Sequence, residues 1–240
     1  DNVFFTPYIG PNYPQGYKGK KILALGESHY INDDDEGRDH FRDYPQLRHF
    51  TSDIVQRYLN YLSSRMNYRG WMGTYTKFAR AFYNGNLSFA GIADFWSRTA
   101  FYNYIQEPMA NTRQTPPKKL FTECEAAFWE VARLSAGLIV VWGHRLWERL
   151  PFPKTPLTDS LFQISATADD QPTRILPITH PSAPSFSYQT TYDLLSAALQ
   201  SNQGPRRPSQ LYSTFAANSF KNKTEKGHIM VKESTEKLPY

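Results

Sequence analysis

The sequence predicts an α/β domain in which a four-stranded parallel sheet lies between two layers of helices, a three-layer α/β/α fold. Three observations carry this. Short, largely apolar runs at 22–25, 99–105, 137–142 and 174–178 are hydrophobic at consecutive rather than alternate positions, as strands buried on both faces of a parallel sheet must be. Helical periodicity occupies the intervals between them. The chain has 240 residues, 40% hydrophobic and 20% charged, enough for one packed domain of this size.

The elements follow in order. The segment up to Gly19 is rich in Tyr, Phe, Pro and Gly, and reads as an ordered loop against the core rather than a strand. The run 22–25 is closed by Gly26. An acidic loop, 32–36, follows; without EF-hand spacing or a partner Glu it reads as solvated rather than as a metal cage. From 47 to 66 the apolar positions Phe50, Ile54, Val55, Tyr58, Leu59 and Leu62 recur at helical spacing, with Thr51 or Ser52 as the cap. A second helix is expected over 75–82. The strand 99–105 is followed by a loop over 106–119 containing Pro108, Pro116 and Pro117, then by a helix over 120–134. Gly143 ends the third strand and leads into a helix through Leu146 and Trp147. The stretch 151–173 reads as a loop with a minor excursion at 161–164. The fourth strand ends at Thr179-His180-Pro181-Ser182, and a last helix spans 192–199. The run 204–208, Gly-Pro-Arg-Arg-Pro, separates a domain over 1–203 from a polar tail over 204–240.

Composition narrows the chemistry. A single cysteine, Cys124, excludes an internal disulfide, a CxxC zinc site and a four-thiolate iron–sulfur cluster. No metal and no cofactor is expected. No apolar run approaches the roughly 20 residues that cross a bilayer, and the first residues do not resemble a signal peptide. The expectation is a soluble, intracellular (cytoplasmic), monomeric protein. The net charge is +5, and it is uneven: from Gly204 onward seven Lys/Arg face three Glu, so the tail carries +4 and the rest +1. A basic tail suits nucleic acid as a partner and suits simple solubility equally well.

In parallel sheets the ligand crevice lies beyond the carboxyl ends of the strands. The polar residues of note sit there: Glu27, Ser28 and His29 after the first strand, Asn103 in the second, His144 after the third and His180 after the fourth. Four segments far apart in sequence converge on one rim.

The order Gly26-Glu27-Ser28-His29-Tyr30, Asn103, Val140-Val141-Trp142-Gly143 and His180-Pro181-Ser182 resembles the uracil-DNA glycosylase superfamily, over about 21–199. That resemblance implies a glycosylase-like fold, damaged or single-stranded DNA as partner, and removal of an extruded base. Such chemistry leaves an oxocarbenium-like sugar and a base anion, so the protein must read the base edge and stabilise charge on its O2. By resemblance, His180 donates to that oxygen and Asn103 pairs with the uracil edge, an amide offering donor and acceptor side by side. Tyr30 stacks on the base, with Phe101 and Tyr102 as lesser candidates. Pro181, Ser182 and Ser185 form the loop that grips phosphates and enters the helix. The family's commonest first motif has Asp where this chain has Ser28. Branches with Gly-Glu match better and make Glu27 the carboxylate for water or the oxocarbenium ion. His29 replaces the usual Pro. The Gly-Glu branch holds an iron–sulfur cluster on four cysteines, so this chain resembles a divergent, cluster-free member.

Other readings stay open beside this one. The run Ile22 to Ser28 also resembles the first block of GDSL-type (SGNH) esterases, with Ser28 as nucleophile and His180 as base. The carboxylate expected three residues before that His is Pro177, which cannot orient an imidazole, and Phe101 and Tyr104 stand where Gly and Asp are expected around Asn103. A glycosylase fold without activity, binding nucleic acid only, is the third reading. At single positions, Asn103 could serve a buried backbone group, His180 could cap a strand end, and Glu27 could be a solvated carboxylate.

Overall fold

The computed structural model of the chain describes residues 2–31, 40–111, 114–134, 137–167 and 170–200. They belong to one compact unit, Asp1–Pro205. The acidic loop and the basic tail of the sequence analysis, with the 203/204 boundary, lie outside the described residues. In chain order the elements are β1 (Tyr8–Ile9), β2 (Ile22–Gly26), two 3-10 turns (Phe41–Asp43 and Pro45–His49), α1 (Phe50–Leu62), α2 (Met72–Ala81), α3 (Phe89–Ser97), β3 (Thr99–Asn103), α4 (Lys118–Glu123), α5 (Glu125–Ala132), β4 (Leu138–Trp142), α6 (His144–Arg149), β5 (Thr155–Pro156), β6 (Phe162–Ile164), β7 (Thr173–Ile178) and α7 (Tyr188–Gln200).

The sheet is mixed and seven-stranded, in the order β1-β3-β2-β4-β7-β6-β5. This corrects the expectation of four strands. The four apolar runs form its centre, parallel to one another, and three short antiparallel strands flank them. β1 belongs to the segment expected to be loop throughout, and β5 and β6 to the stretch expected to be loop with one excursion. Register fixes the rim: Gly26 lies opposite Asn103, Leu25 opposite Val141 and Trp142 opposite Ile178.

Alternate residues of the central strands feed two cores. On one face Ile22, Ala24, Phe101, Val140, Trp142, Leu176 and Ile178 pack under α1, α2, α3 and α7 through residues such as Tyr58, Phe78, Trp96 and Leu195. On the other, Leu23, Leu25, Ala100, Tyr102, Ile139, Val141 and Ile175 pack against α4, α5 and α6 through Phe121, Phe128, Val131 and Leu146. The layers are therefore helix, sheet, helix. Each fully buried aromatic or aliphatic side chain contributes about 1.5–3 kcal/mol, and the first face is rich in them: Phe101 and Trp142 lie 4.9 Å apart at 33°, with Tyr75 and Phe78 edge-on or tilted against Trp142.

Several helix expectations need adjusting. α1 begins at Phe50, after a 3-10 turn, and neither Thr51 nor Ser52 caps it; its N-cap is His49, without a side-chain bond. α3 has no counterpart in the sequence reading; Ser88 caps it, accepting from the Gly91 N–H at 3.2 Å. The helix expected over 120–134 is two, broken at Cys124. α7 starts four residues earlier than expected, at Tyr188. Among the described residues no helix is long and apolar enough to cross a membrane.

Candidate functional site at the carboxyl rim of the sheet

Beyond Gly26 the chain does not leave the sheet at once. The Tyr104 N–H donates to Gly26 O, the Ile105 N–H to Glu27 O and the Met109 N–H to His29 O, at 2.8–3.0 Å. This ladder holds Glu27, Ser28 and His29 beside the segment that follows β3, in fixed alternation. Gly26 itself admits the Asn103 side chain: a Cβ there would collide with Asn103 Oδ1.

On the face covered by α1–α3 stands a neutral, buried group. Asn103 is 6% exposed and His29 4%. The Asn103 amide nitrogen lies 3.1 Å from His29 Nδ1 and 3.3 Å from Nε2, while Thr51 Oγ1 is 2.8 Å from Nε2. An amide N–H only donates, so it takes the nearer, unprotonated Nδ1. The proton then sits on Nε2 and is donated to Thr51. Thr51 is thus a buried partner in the first turn of α1 rather than its cap. Phe5 and Phe50 stand edge-on to the imidazole at 4.8 and 5.0 Å. Burial pushes the His29 pKa down from 6.5 to about 3, so the ring is neutral near pH 7. Gln106 braces the arrangement from below. Its Nε2 donates to Asn103 O at 2.9 Å, and its Oε1 accepts from the Phe4 and Phe5 N–H groups.

His180 follows β7 by two residues and continues the same face as Ile178. It stands over Gly143, where φ is +98° and a Cβ would come within 3.3 Å of His180 Cβ; a side chain at 143 would be strained and would crowd the imidazole. Its ring is edge-on to Trp142 at 6.2 Å. Nδ1 receives the Ser182 backbone N–H at 3.1 Å and the Ser182 hydroxyl at 2.7 Å. A backbone N–H can only donate, so Nδ1 is unprotonated and the neutral ring carries its proton on Nε2. Burial, with the Arg145 charge adding to it, lowers the His180 pKa to about 4. Near pH 7 this is a neutral imidazole presenting one N–H, and among the described residues nothing accepts from it.

Glu27 points to the other face, where α6 supplies Arg145. The pair is bidentate, Nε to Oε1 at 2.9 Å and Nη2 to Oε2, a geometry that suits the planar guanidinium. The Glu27 side chain is 8% exposed and that of Arg145 46%. The bond to Glu27 raises the Arg145 pKa above its usual value, and Tyr30 sits beside the guanidinium. Tyr30 is half-buried and bridges to Met109.

The remaining sequence candidates are placed as follows. Ser28 is buried, and among the described residues its hydroxyl has no hydrogen-bond partner. Pro181 is buried and Ser182 exposed, in a turn closed by the Ala183 N–H to His180 O bond at 2.8 Å. Ser185 is exposed. Phe101 and Tyr102 are core residues of opposite faces, and His144 is exposed. Among the described residues no three His, Cys, Asp or Glu side chains gather as metal ligands would. Sequence reasoning missed Thr51, Gln106 and Arg145. The one available signal was for Arg145: a carboxylate at the end of a doubly buried strand needs a cation from a neighbouring strand end.

What fold and site define together is a three-layer α/β protein with a polar rim at the carboxyl ends of its parallel strands. No protein-family model matches the sequence, and no curated protein matches it.

Proposed function

We propose that this protein resembles uracil-DNA glycosylases in function: it binds DNA carrying an extruded damaged base and hydrolyses the N-glycosidic bond. The observation that carries the reading is His180, a neutral imidazole whose tautomer is set by the Ser182 backbone N–H and whose Nε2–H is available to an oxygen of the leaving base. Asn103 rises from the same face and end of the sheet, three strands away, or roughly 14 Å between strand axes. On this reading the extruded base lies beyond the strand ends between the two side chains, above Trp142 of β4. In this reading Asn103 reads the base edge, His180 donates to O2, and the turn through Pro181, Ser182 and Ser185 meets the phosphates. The glycosidic bond breaks with its electron pair on the base, water adds to C1′, and the proton of that water ends on the base.

A catalytically silent DNA binder is the second reading, and one observation favours it: both Glu27 oxygens are engaged by Arg145, and the family's usual water-orienting Asp is replaced by Ser28. The esterase reading gains nothing, because among the described residues the buried Ser28 hydroxyl has no partner and thus no base to activate it. The test is incubation with single- and double-stranded oligonucleotides containing uracil or hypoxanthine, followed by alkaline cleavage of abasic sites. Strand breaks at the damaged base are expected. Salt-sensitive binding with no breaks at either base selects the silent binder.

A further inference from the structure

We infer that Arg145 is a second contact for the leaving base, acting beside His180, and that Glu27 is its positioning residue rather than the group that activates water. The inference rests on the proposed function and deepens it.

A carboxylate that takes a proton from water needs a free oxygen facing that water. Both Glu27 oxygens already accept from the Nε–Nη2 edge of Arg145, and the remaining lone pairs belong to a side chain only 8% exposed. The exposures are also the reverse of those of a general base, since the carboxylate is buried and the guanidinium is the half-exposed member. An arginine clasped along one edge is held in a fixed plane, its remaining N–H groups shared between the neighbouring Tyr30 and a ligand. The plane is held from several directions: Glu27 is fixed by the Ile105 N–H to Glu27 O bond, Tyr30 flanks the guanidinium, and Leu146 of the same turn is buried in the core. His180 stands directly over Gly143, two residues before Arg145, and feels its charge. The imidazole, on the face of α1–α3, and the guanidinium, on the face of α6, therefore flank the β4–β7 end of the rim from its two sides, where a base lying beyond the strand ends can meet both. A base anion forming there would meet a neutral N–H from one and a cation from the other, both preorganised.

Help to a leaving anion matters most when the leaving group is poor, which gives a readout that a structural role or a phosphate contact would not move. Release of uracil and of 5-fluorouracil is measured from matched oligonucleotides. Fluorine withdraws electrons, so 5-fluorouracil departs more easily. For Arg145→Gln the expected result is a fall in kcat of about 10²-fold with uracil, a clearly smaller fall with 5-fluorouracil, and little change in KM. Arg145→Lys keeps the charge without the two-point clasp and is expected to recover part of the rate. Glu27→Gln is expected to cost less than Arg145→Gln, and the double variant Glu27→Gln/Arg145→Gln no more than Arg145→Gln alone, because residues acting as one unit are not additive. Should Arg145→Gln fail to fold, having left a carboxylate buried and unpaired, the double variant has no such charge and carries the same comparison. A rise in KM alone, equal for both bases, would make Arg145 a phosphate contact and overturn the inference. So would loss of release in Glu27→Gln with an unimpaired Arg145→Gln. Base release by the wild-type protein that is indifferent to Arg145 removes this inference only; no release by the wild type removes the proposed function with it.

Discussion

On the β3 side of the rim, Asn103, His29 and Thr51 form a neutral chain of hydrogen bonds, with Phe5 and Phe50 packed against the imidazole. The rest of the rim carries His180 after β7, held by an exposed Ser182, and Arg145 of α6, half-exposed on the buried carboxylate of Glu27. The two sides end the same sheet, yet one is built like a core and the other like a surface. Buried neutral networks hold a side chain in a single orientation because every alternative leaves a polar atom unpaired. Partly solvated groups fixed by bonds on one side keep their remaining donors open to an incoming anion. A rim that must hold one buried reader and one solvent-facing electrostatic partner would divide in this way.

Acid has the largest expected effect on both sides of the rim. Both imidazoles are neutral in the folded protein, His29 with a pKa near 3 and His180 near 4, whereas the unfolded chain binds those protons at about 6.5. Each therefore contributes stability that is complete above pH 6.5 and lost as pH falls toward the folded value. The loss is about 1.4 kcal/mol per pH unit for each histidine. Denaturation midpoints followed from pH 7 to pH 4.5 should fall steeply, on the order of 5 kcal/mol in total when both contribute; a flat profile would mean that neither ring is kept neutral by burial.

Single substitutions should then separate the two sides. His29→Ala removes a ring packed between aromatic neighbours together with both of its hydrogen bonds, and is expected to cost about 3 kcal/mol in urea unfolding. His180→Ala, at the more solvated side, should cost about 1 kcal/mol or less. Equal losses would erase the distinction. The smallest effect belongs to Ser182→Ala, about 0.5 kcal/mol at most, because the backbone N–H at 182 still fixes the His180 tautomer; base release should persist in that variant.

How much of this the amino-acid sequence discloses follows from what burial imprints. The four central strands are legible because both faces are covered, so the runs 22–25 and 138–142 are apolar without interruption. The edge strands are not: Tyr8–Ile9 and Thr155–Pro156 are two residues each, too short to show a period. α3 was hidden for the opposite reason. Phe89, Ala90, Ile92, Phe95 and Trp96 spread apolar surface around much of the helix, blurring the 3.6-residue stripe. Glu27, Asn103 and His180 could be found as polar residues at strand ends. Their partners could not, since pairing Glu27 with Arg145, or His29 with Thr51, depends on strand register and on the seating of α1 and α6, which no local pattern encodes. Thr51 shows the cost of local reading: near a helix start it looks like a cap, whereas the fold turns its hydroxyl toward a histidine 22 positions earlier in the chain.

Whether His180 offers a neutral N–H to the oxygen of a departing base is decided by single-turnover release of uracil from one oligonucleotide by the wild-type protein and by His180→Ala under identical conditions. Loss of one preorganised donor should slow release about 10²–10³-fold, equivalent to about 2.7–4 kcal/mol, with the variant still folded. Equal rates for the two proteins would contradict the role assigned to His180.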